Sequence, residues 1–189
     1  MALSNDRPNP SLRGTATNLQ GRGGEWGDGG RNGRRGVRSY APTLTVTLTD
    51  EEIFLAMTHA VVRYTNRIRA NSKPVNKQER SLEADAVGAV SELAVAKALN
   101  KFFPAGFRET DVGEYEVRAT TRKDGSLIIR ERDSSAKRYI LAIVDLPRVI
   151  IAGYVWGWDA KKPEYWRAPN GRPGAYFVPQ SALRPLEDK

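Results

Sequence analysis

Alternating apolar and polar side chains predict where the folded part of the chain begins. Leu44, Val46 and Leu48 alternate with threonines, which is the period-two pattern of a half-buried strand. Thr49 stands three residues before Glu52, and this capping-box spacing predicts the start of a helix. The apolar side chains of this helix recur at helical spacing and are expected to form one core stripe: Ile53, Phe54, Met57, Val61, Tyr64 and Ile68.

A second helix is predicted to begin near Ser81. Its apolar positions are also spaced for one buried stripe, made by Leu82, Ala86, Val90, Leu93 and Leu99. Gly88 lies in the middle of this helix, where glycine costs stability, so we expect a neighbouring element to approach closely there. Glu92 follows one turn later among small residues. It is either a solvated glutamate or a carboxylate that reaches across to a sheet.

The rest of the chain predicts strands at residues 115–120, 127–130, 139–144 and 149–155, with a short last strand at 175–178 and a helix-like segment at 181–186. A turn at residues 123–125 predicts that the first two of these strands form a hairpin. In the first strand, alternation separates a core face from an opposite face. The core face is Tyr115, Val117 and Ala119, and the opposite face is Glu116, Arg118 and Thr120. The pattern predicts an α/β domain with a mixed sheet flanked by two helices.

Carboxylates recur around this first strand. Asp111 stands just before it, at a place where a turn can fold its carboxylate towards Glu116. A pair of oxygen donors is the minimum that a Mg²⁺ or Mn²⁺ site takes from a protein, because waters and substrate phosphate complete the coordination. The alternative is that Glu116 and Arg118 form an exposed ion pair on one face of the strand.

The order of Glu92 on the small-residue helix, then Asp111, then Glu116-Val117-Arg118 and a following strand resembles the PD-(D/E)XK nuclease superfamily, most of all its small phage-encoded members. The resemblance covers about residues 80 to 158. It implies a restriction-endonuclease-like fold with an αβββ core. It also implies that Glu92, Asp111 and Glu116 hold Mg²⁺ (or Mn²⁺) for hydrolysis of DNA.

This chain departs from that family at two positions. Thr110 stands where the motif has proline, which has little chemical weight. Arg118 stands where the family usually has lysine, and arginine stays protonated at any working pH, so it supplies only fixed charge and forked donors. Arg118 is therefore expected to stabilise charge on the scissile phosphate, and activity is retained, altered or lost accordingly.

A net charge of +8 and a pI near 9.9 favour nucleic acid as the partner, ahead of an anionic membrane surface. The basic side chains of the predicted hairpin are expected beside the site, against a phosphate backbone, or else form a solvated face: Arg122, Lys123, Arg130 and Arg132. Aromatic and cationic residues also alternate between positions 154 and 167. They either stack on bases or close an edge of the core or a dimer contact.

Residues 1–40 are rich in glycine and arginine and are predicted to be a disordered basic tail, with the nuclease-like domain at 41–189. The tail either contacts single-stranded nucleic acid or acts as a plain linker. The absence of cysteine excludes disulfides, thiolate zinc sites and cysteine nucleophiles, and His59 alone cannot complete a histidine metal site. No signal peptide or membrane-length apolar run is seen, so we expect a cytoplasmic protein without a membrane partner.

The resemblance therefore implies a metal-dependent DNA nuclease, phage-encoded and located in the host cytoplasm or the virion. A homodimer is expected if both DNA strands are cut. The main alternative is a nuclease fold that has lost the reaction and serves as a nucleic-acid-binding or phage structural and assembly protein. A third alternative is an anti-defence protein that binds a host factor through its aromatic C-terminal region.

Overall fold

The computed structural model describes residues 43–70, 81–103, 111–169 and 173–186. They belong to one of two units of the chain, Val37–Lys189. The tail predicted at residues 1–40 lies outside the described residues. None of the helices in the described ranges is long and apolar enough to cross a membrane.

Two long helices begin at the caps that the sequence predicts. Helix α1 is Asp50–Arg69, and Thr49 and Glu52 make both hydrogen bonds of its capping box. Helix α2 is Leu82–Ala98, and the Ser81 hydroxyl accepts a hydrogen bond from the backbone N–H of Ala84 at 3.0 Å. A short helix α3, Gly157–Ala160, comes later in the chain.

Seven strands form two sheets within the described residues: β1 Leu44–Thr47, β2 Tyr115–Thr120, β3 Leu127–Arg130, β4 Arg138–Asp145, β5 Arg148–Trp156, β6 Trp166–Arg167 and β7 Ala175–Val178. The first sheet has the order β1-β5-β4-β2 and is mixed, because β2 runs parallel to β4 while the other pairs are antiparallel. The second sheet has the order β3-β7-β6 and is antiparallel. The predicted α/β class with a mixed sheet and helices is confirmed.

The predicted hairpin between β2 and β3 is wrong. The turn itself forms, with a hydrogen bond of 3.0 Å from the N–H of Gly125 to the carbonyl of Arg122. Its effect is to carry the chain from one sheet to the other, where β3 pairs with β7.

The helix-like segment predicted at residues 181–186 is also wrong. Only a 3₁₀ turn, Gln180–Ala182, forms, because the backbone of Arg184 exchanges two 2.8 Å hydrogen bonds with Tyr154 of β5.

The four-stranded sheet is the middle of three layers. On one face it packs against α2, which packs in turn against α1, through a cluster that includes Val117, Ile140 and Ala142. On the other face it packs against the three-stranded sheet through a second cluster that includes Leu127, Tyr139 and Val178. Residues 89–96 of α2 are buried on every side, because their small side chains let α1 and the sheet approach closely.

The core stripe predicted for α1 is partly wrong. Phe54, Val61 and Ile68 are 75%, 50% and 61% exposed. Helix α1 instead packs through Ala56 and Ala60, which are fully buried because their short side chains bring the helix axis close to α2.

Two smaller predictions also fail. Apart from its own stretch of α2, no described residue has an atom within 4 Å of the place where a Cβ on Gly88 would stand, so the close approach predicted there is not seen. Ala119, predicted to face the core, is exposed near the end of β2, whereas Val117 is buried as predicted.

Candidate active site at the edge of the four-stranded sheet

A tight turn places Asp111 beside β2, the strand at one end of the four-stranded sheet. Val112 and Tyr115 exchange two backbone hydrogen bonds of 3.1 and 2.9 Å, and Gly113 between them has φ = +56°, a conformation that glycine adopts readily. The turn folds Asp111 back along the strand. Its Oδ2 accepts a hydrogen bond from the N–H of Val117 at 2.8 Å.

Glu92 of α2 is a buried carboxylate, with only 6% of its surface exposed. Both of its oxygens accept hydrogen bonds from the guanidinium of Arg63 on α1, one at 2.7 Å from Nη1 and the other from Nη2. Burial raises the pKa of Glu92 above its usual value, and the charges of Asp111 and Glu116 add to the rise while Arg63 opposes it. The hydrogen bonds with Glu92 in turn raise the pKa of Arg63.

Asp111 has a raised pKa for similar reasons. Burial is the largest cause, and the negative charge of Glu116 adds to it. The hydrogen bond from Val117 and the charges of Arg118 and Arg63 act in the opposite direction. These mutual effects show that the carboxylates predicted from the sequence as one site, on α2, the turn and β2, lie within electrostatic reach of each other.

Glu116 is held between two cations. The Nζ of Lys137, just before β4, is 2.7 Å from its Oε1, and Nη1 of Arg118 is 3.6 Å from its Oε2. Arg118 reaches further, since its Nη2 is 3.2 Å from Oδ2 of Asp133 and its guanidinium lies 5.1 Å from the centre of the Tyr139 ring. Burial raises the pKa of Tyr139 to about 12, so its hydroxyl stays neutral and donates a 2.8 Å hydrogen bond to a backbone carbonyl.

Sequence reasoning missed Arg63 and Lys137, the cations that contact Glu92 and Glu116. A signal for Arg63 existed, because it stands three residues after Ala60 on the small-residue face of α1, and an arginine on a buried face needs an acidic partner. Lys137 gave no such signal. It comes beside Glu116 because β2 and β4 pair in parallel, which local sequence does not reveal.

The donor chemistry of Glu92, Asp111 and Glu116 fits Mg²⁺ or Mn²⁺, since both ions prefer carboxylate oxygens. Within the part of the chain that the structure describes, no group of three or more His, Cys, Asp or Glu side chains converges closely enough to hold an ion. Protein cations engage these carboxylates instead: both oxygens of Glu92 are on Arg63 and one oxygen of Glu116 is on Lys137. Ion binding would require those two cations to move away.

The basic residues predicted at the rim divide into two pairs. The backbone N–H of Arg130 donates to Oδ2 of Asp133 at 2.9 Å, the same oxygen that Arg118 contacts, and Arg132 is exposed in the turn that follows β3. Arg122 and Lys123 follow the other end of β2, about 13 Å along the strand from Glu116. Their side chains are 76% and 82% exposed and lie near Asp124 and Asp145, so the structure does not bring them to the site.

An aromatic stack stands at the same end of the sheet as Glu116. The rings of Trp156 and Trp158 are parallel to within 13°, with centroids 4.2 Å apart, and Trp158 is 52% exposed. The guanidinium of Arg138 covers Trp156 at 4.3 Å and is paired with Glu114 at 2.6 Å. The N–H of Gly157 donates to the carbonyl of Lys137 at 2.8 Å, which fixes the stack relative to that lysine.

Comparison with family models, with curated proteins and with solved structures gives no match for this chain. The residues and their geometry therefore carry the functional argument alone.

Proposed function

We propose that this protein is a metal-dependent DNA phosphodiesterase of the restriction-endonuclease-like type. The observation that carries the proposal is electrostatic: the charges of Asp111 and Glu116 raise the pKa of the buried Glu92, and the charge of Glu116 raises the pKa of Asp111. Carboxyl groups from α2, the turn and β2 therefore act on one another, although in the described residues they do not converge on one point. Burial and mutual repulsion of carboxylates oppose folding, and such arrangements are most common at functional sites. The chain order α2, β2, β3, β4 supports the αβββ core in part, although β3 joins the second sheet.

In this proposal Asp111, Glu116 and Glu92 would hold Mg²⁺ or Mn²⁺, which would supply an activated water and neutralise charge on the phosphate. Arg118 offers forked donors to phosphate oxygens. Its orientation is fixed by the 3.2 Å contact with Asp133 and by the Tyr139 ring. Arg118 thus acts as an electrophilic stabiliser that never gives up its proton.

Lys137 supplies a second cation beside Glu116. A phosphate that enters between Lys137 and Arg118 would give both cations a new anionic partner and release the oxygens of Glu116. In the same way, the guanidinium of Arg63 would take a phosphate as its partner and release the oxygens of Glu92. The ion pairs seen in this structure therefore describe a resting arrangement that substrate and ion replace together.

The aromatic stack is proposed as the contact for an unpaired base of the DNA strand. Trp158 presents half of its surface to solvent, and its ring is supported from behind by Trp156 and Arg138. Aromatic faces of this kind stack on any base without sequence preference. A net charge of +8 draws the phosphate backbone towards the protein.

Cleavage of linear, circular and single-stranded DNA with Mg²⁺ or Mn²⁺ tests the proposal. The variants are Asp111→Asn and Glu116→Gln, with Asp124→Asn as the matched control, because the side chain of Asp124 is 81% exposed and lies beyond the other end of β2. We expect each of the first two to reduce cleavage at least about 100-fold and the control to cleave normally. The proposed activity is refuted if the wild-type protein cleaves no DNA with either ion and Arg118→Lys does not cleave it either.

A second candidate is a nuclease fold that binds nucleic acid without cutting it. The observation that favours it is that protein cations already engage Glu92 and Glu116. For this candidate DNA binding is indifferent to Mg²⁺ and weakens steeply with salt, whereas the phosphodiesterase binds ions through the carboxylates. Calorimetric titration of Mn²⁺ into the wild type and into Glu116→Gln separates the two, since only the phosphodiesterase loses ion binding with that change.

A further inference from the structure

Helix α1 has an apolar face that no described part of the chain covers. Its members are all at least 44% exposed, and we call them the outer stripe: Phe54, Leu55, Val61, Val62 and Ile68. The opposite side of the same helix, at Ala56 and Ala60, is fully buried against the core. Helix α1 is therefore apolar on two sides, and packing among the described residues accounts for one of them.

The outer stripe has the spacing of a helix-pairing surface. Phe54, Val61 and Ile68 are each seven residues apart, and Leu55 and Val62 repeat at the same interval. The helix has 20 residues and is therefore about 30 Å long. Isolated exposed apolar residues are ordinary, but five on one side of a helix, with only the methyl-bearing Thr58 and Thr65 between them, mark a surface that binds another protein.

We propose that the outer stripe binds the outer stripe of a second copy of this chain, with the two α1 helices antiparallel. The charges at the helix ends favour this pairing. Asp50 and Glu51 lie in the first turn and Arg69 lies in the last turn, so an antiparallel pair brings opposite charges together at both ends, whereas a parallel pair brings like charges together. A two-fold axis also closes the assembly, because each copy uses the same surface.

The glycine- and arginine-rich stretch at residues 13–36 is a poor candidate for covering the outer stripe, because its only large apolar side chains are Leu19 and Trp26. A nucleic-acid backbone is excluded by chemistry, since the stripe offers it no cation.

The antiparallel arrangement fixes which residues meet. Val61 lies midway between Phe54 and Ile68, so it faces Val61 of the second copy across the two-fold axis. Phe54 then opposes Ile68 of the second copy. A parallel arrangement pairs each position with itself instead, and an unrelated partner protein leaves the chain monomeric when it is pure.

The first test measures the mass of the pure full-length chain by light scattering and sedimentation over a range of concentrations. We expect a dimer for the wild type, and we expect Val61→Asp to weaken it at least about 100-fold by burying a charge at the centre of the contact. Ile128→Asp is the matched control, because Ile128 is 43% exposed on β3 and away from α1. A wild-type chain that stays monomeric at every concentration overturns the proposal, as does a Val61→Asp chain that remains dimeric.

The second test uses the natural absence of cysteine. Under mild oxidation Val61→Cys should form a disulfide-linked dimer. Phe54→Cys and Ile68→Cys should link to each other when mixed but not to themselves, since like positions lie about 21 Å apart. Lys123→Cys, at a side chain that is 82% exposed, reports random collision. Self-linking of Phe54→Cys above that background overturns the antiparallel arrangement.

Discussion

Removal of the Arg63 guanidinium should destabilise the fold in a pH-dependent way. Arg63→Ala leaves the carboxylate of Glu92 buried without its bidentate partner. Loss of one member of a buried ion pair typically costs about 3 to 5 kcal/mol. The side chain of Arg63 is 25% exposed, so water can enter the space it leaves, and we expect a loss of about 3 kcal/mol, or roughly 10 °C in Tm.

The sign of the pH dependence follows from the pKa of Glu92. Burial already raises this pKa, and Arg63 opposes the rise, so Arg63→Ala raises it further. Below the new pKa the carboxyl is neutral and its burial costs little, whereas above it the unpaired charge must be buried. The penalty of Arg63→Ala is therefore largest at neutral and alkaline pH and shrinks as the pH falls through the raised pKa.

Urea unfolding monitored by circular dichroism at about pH 8 and about pH 5 measures both effects. The control is Arg122→Ala, whose side chain is 76% exposed and which should change stability by less than about 0.5 kcal/mol. The double variant Arg63→Ala with Glu92→Gln should recover part of the loss, because the amide carries no charge. The reasoning is refuted if Arg63→Ala costs less than about 0.5 kcal/mol at the higher pH, or if its cost is unchanged when Glu92 is replaced.

Other expectations follow from single positions. Gly88→Ala should raise the free energy of unfolding by about 0.5 to 1 kcal/mol, because a Cβ there meets nothing and alanine favours a helix. Gly157→Ala should instead lower thermal stability by several degrees, since its Cβ would stand 2.4 Å from the carbonyl oxygen of Ser134. Trp158→Ala should weaken binding of single-stranded DNA roughly 5- to 150-fold by fluorescence anisotropy, while equal binding would remove Trp158 from the interface. Tyr139 should ionise in ultraviolet titration only near pH 12, and because its folded pKa is raised, the stability it supports is complete below about pH 10 and is lost as pH rises towards 12.

Local chemistry explains what the sequence predicted well. The capping box of Thr49 and Glu52 and the cap at Ser81 set the starts of both long helices through contacts three residues apart. The β-branched runs at residues 139–144 and 149–155 are strands because their side chains are buried from both faces of the sheet. These features depend on near neighbours, which a sequence displays directly.

Pairings between distant segments explain the failures. Strand β3 pairs with β7, which lies almost fifty residues later in the sequence. Nothing next to β3 in the sequence indicates that pairing, whereas the adjacent turn favours a hairpin with β2. Helix α1 buries its alanines and exposes Phe54, because two helices can approach this closely only where the side chains between them are small. The role of Arg63 depends on which face of α1 meets α2, so an error about the face conceals the ion pair with Glu92.

The turn at residues 131–137 has a consequence for proteolysis. Most of its side chains are exposed, including Arg132, yet five of its seven carbonyls accept hydrogen bonds. Lys161 donates to two of them, and Tyr139, Trp158 and Gly157 donate to three others. A protease must extract an extended segment into its own cleft, so trypsin should pass over this surface arginine until those hydrogen bonds open. The rate of cleavage after Arg132 then reports how readily this turn opens, and it can be measured by gel electrophoresis without substrate or metal.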